Sequence, residues 1–244
     1  MSILILRSTL LIALSIFVAP KKWKGYLSLL PIILQIMVST AWAIDAWRSV
    51  APLEFHFFDS YWNGDLILVV DNLSAFFILI INLTCLTGII YGLGYLKPYL
   101  DKKGSMPISL HYFSFVGLHF SMLLVVMLRD AFGFLVAWEL MSLFSFVLVI
   151  FEGERELTLK TGINYLVQMH MCFVLLLIGF LYVSSVTGSF SLNALSVYFS
   201  SHSNLWIFLL FFLGFGIKAG FVPLHSWLPH AHPAAPSHVS GVMS

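Results

Sequence analysis

Apolar runs of about twenty residues alternate with short polar stretches along the chain, at roughly 3–19, 26–44, 73–95, 110–128, 131–151, 161–183 and 205–223. A hydrocarbon core of about 30 Å takes about 20 helical residues to cross, so the pattern predicts about seven membrane-spanning helices. Arg7 interrupts the first run, and the basic group Lys21, Lys22 and Lys24 follows it rather than precedes it. That charge order, with no small-residue cleavage site before the next run, reads as a retained span and not a signal peptide. One stretch departs from the rhythm. Between the second and third runs, Leu53-Glu-Phe-His-Phe-Phe and Leu66-Ile-Leu-Val-Val alternate like strands around Trp62-Asn-Gly-Asp, which predicts a small hairpin, with an irregular loop as the alternative. No short-period repeat or flexible linker divides the chain, so one membrane domain accounts for it.

Composition fixes the solvent that these runs face. Hydrophobic residues make up 60% of the chain and charged residues 9%, against about 25% charged in ordinary soluble domains. A net charge of +1 gives no field to attract nucleic acid or an acidic substrate. The position of each charge carries more information than the sum. Basic residues collect after the first run (Lys21, Lys22, Lys24), the third (Lys97, Lys102, Lys103) and the fifth (Arg155, Lys160). Those loops are expected in the cytoplasm, which places the N-terminus outside a cytoplasmic (inner) cell membrane. The connection 45–72, with five acidic residues against Arg48, and the uncharged connection 184–204 fit the outer side. Cys85 and Cys172 lie in separate apolar runs with no second ligand at metal spacing, so no disulfide, iron–sulfur or other metal site is expected.

Besides Arg7, two charges lie inside the runs. Lys218 stands in the seventh and Glu139 in the fifth. An intramembrane ionisable group costs about 2.5–3.5 kcal/mol on insertion scales and is by default a hypothesis of proton or ion handling, with a partner to be named. At about 1.5 Å per residue, Glu139 lies roughly 14 Å and Lys218 roughly 20 Å from the outer ends of their helices, about one turn apart in depth. A Glu139–Lys218 pair is therefore expected near the midplane. His170 in the sixth run falls at similar depth, where an interhelical hydrogen bond competes with a role in proton transfer. His119 in the fourth run reads as a neutral imidazole donating one hydrogen bond. A structural staple is the alternative for the Glu–Lys pair, since desolvation offsets much of its attraction.

Beyond Lys218 the run is expected to break. Gly214, Gly216 and Gly220 flank it, and Pro223 has no N–H to close on the carbonyl of Ala219. Free backbone groups at that depth need protein or a water-filled cavity, which marks a site. His225, His230, His232 and His238 follow, but three prolines and no Asp, Glu or Cys argue for hydrogen bonding and proton relay over a metal cluster.

The stretch Phe215-Gly-Ile-Lys-Ala-Gly-Phe-Val-Pro-Leu-His-Ser-Trp-Leu-Pro-His-Ala-His-Pro-Ala-Ala-Pro-Ser-His-Val-Ser resembles the seventh-helix signature of the antiporter-like, proton-pumping membrane subunits of complex I, Mrp antiporters and energy-converting hydrogenases. Trp138-Glu139-Leu-Met-Ser resembles the fifth-helix motif, and Val70-Asp71-Asn-Leu-Ser-Ala-Phe-Phe the start of the third helix. The stretch Thr161-Gly-Ile-Asn-Tyr-Leu-Val-Gln-Met-His170 is most similar to the large hydrophobic subunits of formate hydrogenlyase and hydrogenase-4, with complex I subunits the close competitor. The resemblance begins at about Asp65. It implies residues 1–64 as the first two helices and outer loop, and 65–244 as an antiporter-like proton-translocation domain. It also implies an all-α integral membrane fold that is the N-terminal half of a fourteen-helix inverted repeat.

By that resemblance Glu139, Lys218, His225 and His232 match proton-transfer positions, with His170 beside them. No cofactor is implied: the chain has no flavin, quinone, haem or nickel motif, so electron transfer falls to partners. Those partners would be other membrane subunits and a peripheral hydrogenase or NADH dehydrogenase module, with protons as the transported ion and sodium as the Mrp-like alternative. The chain stops at Gly241-Val-Met-Ser244, before the further Lys and second helix set of the family. A truncated form, a split gene and a short accessory chain are all open readings of that end.

Overall fold

The computed structural model describes residues 2–58 and 66–244. Where seven spans were expected, seven helices run through the apolar stretches: α1 (Ser2–Val18), α2 (Lys21–Arg48), α3 (Asn72–Tyr95), α5 (Ser105–Met127), α6 (Ala131–Val149), α7 (Glu156–Thr187) and α9 (Leu205–Ala219). Five of them are long and apolar enough to cross a membrane, α6 counted with the 3-10 turn Ile150–Glu152 that extends it; α1 and α9 are shorter. Short helices α4 (Tyr99–Lys102) and α8 (Asn193–Ser201) lie in the connections, and α10 (Leu228–Ala234) and α11 (Ser237–Met243) follow α9. The stretch 184–204, expected as a loop, is thus partly helical, since α7 runs on to Thr187 and ends on Gly188 in the left-handed region (φ 71°).

The helix ends follow from their sequence. Asp71 and Asp130 cap α3 and α6 by accepting from the backbone N–H of Ser74 and Gly133, each at 2.8 Å. Asn204 does the same for α9 through Trp206 and Ile207. The expected hairpin is present as antiparallel strands β1 (Leu53–Phe58) and β2 (Leu66–Val70), Leu53 opposite Val70 and Phe55 opposite Leu68. The Asn63-Gly64 turn itself lies outside the described residues.

Packing is inverted relative to a soluble bundle. Large apolar side chains such as Leu11, Leu83, Ile178 and Trp206 point outward, while Thr9, Gln35, Ser39, Asn82, Ser109, His111, His119, Ser142 and Ser145 are buried. Lipid gives no reason to hide leucine, so small and polar residues line the helix contacts and hydrogen-bond there. Helix α5 is the centre: it touches α1, α2, α3 and α6, and most of its length is buried. Through α6 this N-terminal bundle joins a second core built from α7, α8, α9 and α10.

The basic loops meet on one face. Lys21 Nζ donates to the carbonyl of Lys103 (2.9 Å), Lys103 pairs with Glu154 (2.6 Å), and Tyr99 hydrogen-bonds Glu152. The Glu152 contact raises the Tyr99 hydroxyl above its ordinary range, and Lys103 holds the Glu154 carboxyl below its own. On the opposite face Arg129 pairs with Asp71, and the segment 128–131 bonds Leu68, Phe190 and Leu192. Lys24, counted above with the loop charges, belongs instead inside α2. It is fully buried, with Nζ donating to the Ile16 carbonyl (2.8 Å) and Ser109 Oγ (2.5 Å), where it caps the C-terminal end of α1.

Candidate functional site

Helix α9 ends at Ala219, four residues before Pro223, not at it. Gly220 takes φ 74°, its N–H bonds the Ile217 carbonyl (3.2 Å) and the Phe221 N–H bonds Gly216 (2.9 Å). This is the Schellman stop that a left-handed glycine permits, so the proline falls in the turn that follows. The Ile217 carbonyl also accepts from the indole N–H of buried Trp227 (2.8 Å), which satisfies a backbone group released by the stop.

Lys218 therefore sits in the last turn of α9, where the negative end of the helix dipole favours a cation. Its ammonium donates to Ser142 Oγ (2.7 Å) and lies 4.8 Å from the ring centroid of Trp138. Trp138 is held in turn by its indole N–H on Cys172 Sγ (3.3 Å). The expected direct contact with Glu139 is not made. Glu139 Oε1 instead lies 3.2 Å from His170 Nε2, and its second oxygen is buried without a hydrogen-bond partner. Glu139 and Ser142 are three apart on α6, so they share one helix face and the carboxyl and ammonium lie about a turn from each other.

His170 is half exposed on the outward side of α7, where it opens toward a groove lined by Leu166, Val167 and Val174. On the inner side of Lys218 a cavity of about 130 Å³ is lined by Ser145, Tyr165, Trp227 and Val242. Ser145 and the Tyr165 hydroxyl share a 2.6 Å hydrogen bond there, so the cavity has polar groups and room for water. His232 borders this region: it stacks on Trp227 at 6.4 Å and pairs with Ser240 (3.0 Å). His225 lies apart, exposed in the turn between α9 and α10, with no side-chain hydrogen bond among the described residues.

Of the five expected site residues, the structure joins Glu139 with His170, sets Lys218 one turn away and places His232 beyond the cavity. Ser142, Trp138 and Tyr165 were missed; the i, i+3 spacing of Glu139 and Ser142 was the signal that could have found the first. A buried pair was missed as well. His111 on α5 and His238 on α11 meet Nε2 to Nε2 at 2.9 Å, and both Nδ1 atoms lack partners. Among the described residues no three His, Cys, Asp or Glu side chains cluster to hold a metal ion.

Residues 129–244 match the family described as NADH:quinone oxidoreductase/Mrp antiporter, membrane region. Hydrogenase-4 component B of Escherichia coli is 39% identical over 200 residues, covering 81% of this chain and 28% of that protein. NADH-ubiquinone oxidoreductase chain 4 of Chondrus crispus is 26% identical over 197 residues, 80% of this chain and 38% of that one. A chain in the structure of the membrane-bound sulfane sulfur reductase, an archaeal respiratory membrane complex, superposes with a TM-score of 0.83 at 16% identity, over 98% of this chain and 48% of its own. The chain thus spans less than half the length of each of these relatives, and the match identifies an all-α, multi-pass antiporter-like membrane fold.

Proposed function

From the premise that residues 129–244 belong to the NADH:quinone oxidoreductase/Mrp antiporter membrane family, we propose that this chain moves protons through Glu139, His170 and Lys218 within a redox-driven membrane complex. The hydrogenase-4 type is favoured among such complexes by the 39% identity to component B. Electron transfer belongs to other subunits, including a peripheral hydrogenase or NADH dehydrogenase module. The basic face faces the cytoplasm and the N-terminus lies outside.

One observation carries the reading: Lys218 bonds Ser142, one turn along α6 from Glu139, and yet is not bonded to Glu139 itself. A staple that merely fixes helix register would close the ion pair. Here each group has a neutral or titratable partner, so either can change its charge without leaving a broken salt bridge. A proton on His170 can pass to Glu139, whose second oxygen is unpartnered. Neutralising Glu139 removes the anion that favours the Lys218 cation, and desolvation then promotes loss of the Lys218 proton to the cavity at Ser145 and Tyr165. The cavity continues toward Val242 and Met243 on α11. A carboxyl, an imidazole and an amine all exchange protons, which favours H⁺ over Na⁺. The separation into 1–64 and 65–244 follows the same reading, the first part bracing the second. In the assembled complex, Glu139→Gln is expected to leave subunit composition and redox turnover in place and to abolish this chain's share of coupled proton translocation. Coupling unchanged in that variant rejects the role.

A further inference from the structure

A second group of buried polar side chains lies outside residues 129–244 and makes no use of Glu139 or Lys218. His119 on α5 is completely buried, and both of its ring nitrogens are engaged: Nδ1 with Gln35 Oε1 at 2.7 Å, and Nε2 with Asn82 Oδ1 at 2.9 Å. Gln35 comes from α2 and Asn82 from α3, and Gln35 Nε2 continues to Thr9 on α1 (2.9 Å). Four helices therefore converge on one imidazole.

The hydroxyl partners fix which way each amide points. Thr9 has one hydroxyl hydrogen and donates it to the Leu6 carbonyl at 2.6 Å, so it can only accept from Gln35. That puts the Gln35 oxygen on Nδ1 and requires Nδ1 to carry a hydrogen. Ser39 donates to the Gln35 carbonyl at 2.7 Å, which leaves it to accept from Asn82 Nδ2 at 2.9 Å, as Thr40 does at 2.9 Å. With the Asn82 amide in this orientation its oxygen faces Nε2. Two oxygens on two ring nitrogens satisfy only the doubly protonated imidazolium, bound by two charge-assisted hydrogen bonds. Turning the Asn82 amide over gives Nδ2 to Nε2 and its oxygen to the Ser39 and Thr40 hydroxyls, and that arrangement satisfies the neutral, Nδ1-protonated ring once Ser39 turns its hydrogen from the Gln35 backbone carbonyl to the Asn82 oxygen. Gln35 is locked, while Asn82 has two satisfied states that differ by one proton on Nε2.

We propose that His119 is a proton-binding site in which proton occupancy and the orientation of the Asn82 amide are linked. The inference goes beyond the transport reading and stands whether or not Glu139 conducts. Three charged or titratable groups on the surrounding helices have partners of their own. Lys24 of α2 caps α1, Glu139 of α6 meets His170, and His111 of α5 pairs with His238. Arg7 of α1 lines a groove with Phe120 and Leu124, and Cys85 is a buried thiol one turn along α3 from Asn82. The amide oxygens, not a carboxylate, therefore hold the proton, which makes its affinity depend on which face Asn82 presents.

The test uses ¹⁵N-histidine and ¹⁵N-asparagine NMR of the chain in lipid nanodiscs, with His119→Gln to identify the ring signals. The expected result is a reversible change between a doubly protonated and an Nδ1-protonated ring, with the Asn82 side-chain amide shift moving at the same midpoint. Asn82→Asp should shift that midpoint to higher pH, and Asn82→Leu should lose the doubly protonated form. A ring that keeps one protonation state over the whole pH range in which the protein stays folded overturns the proposal. So does a titration that leaves the Asn82 amide unmoved, and both readings come from the unsubstituted chain.

Discussion

Lys218 is held by a serine hydroxyl, an indole face and a helix end, none of which carries a full charge. Such partners stabilise an ammonium without locking it, because each remains satisfied or solvable when the proton leaves. A hydrogen bond to a charged group contributes about 1.5–3 kcal/mol. Ser142→Ala should therefore destabilise the solubilised protein by about that amount at neutral pH, with Ser142→Thr close to the parent, as read from thermal or denaturant midpoints. Asp71 gives a prediction of opposite location. Partial burial would push its carboxyl up, but the Ser74 backbone and hydroxyl and the Arg129 guanidinium outweigh that and hold it below the ordinary range. A depressed carboxyl stabilises the fold above its unfolded value of about 3.9 and loses that contribution as pH falls through the lower folded value. The thermal-midpoint difference between the parent and Asp71→Asn should accordingly be present at pH 7 and vanish in strong acid. Sequence made Glu139 and Lys218 visible because charge in an apolar run is rare. Their actual partners were invisible, since Ser142 and Trp138 are ordinary residues for a membrane helix and only the rotation of α6 against α9 selects them.

At the scale of elements, apolar runs were legible because membrane length imposes them, and all seven match a helix. The stop of α9 was misplaced because proline is the louder signal, although the left-handed Gly220 acts first. A residue with a Cβ in that region costs about 1–2 kcal/mol; Gly220→Ala should lower stability by that much, and the Leu228 side chain 3.0 Å from the added carbon leaves little relief. Helix contacts make a parallel demand. At Gly117 on α5 an added Cβ would run into the Phe144 ring of α6. Overpacking of this kind costs about 1–3 kcal/mol, so Gly117→Ala should shift the thermal midpoint down through the α5–α6 contact. Interhelical polar pairs such as His111–His238 escaped the sequence reading because each residue is alone on its own helix, and nothing in one dimension pairs residues 127 positions apart.

At the scale of the molecule, three basic connections share one face through Lys21, Lys103 and Glu154, and the acidic hairpin connection lies with Arg129 on the other. Single cysteines placed at Lys102 and at Ser203 should react with impermeant reagents from opposite sides of the membrane, Lys102 from the cytoplasm. Between those faces the polar groups run from His170 and Glu139 past Lys218 to the cavity at Tyr165. The central claim is that Lys218 exchanges a proton during turnover. Its most direct test is the number of protons translocated per electron transferred by inverted vesicles carrying the assembled complex, comparing the parent with Lys218→Ala. The expected result is an intact complex with retained electron transfer and a proton yield reduced to the contribution of the other subunits. An unchanged yield, or loss of assembly in place of loss of coupling, contradicts it.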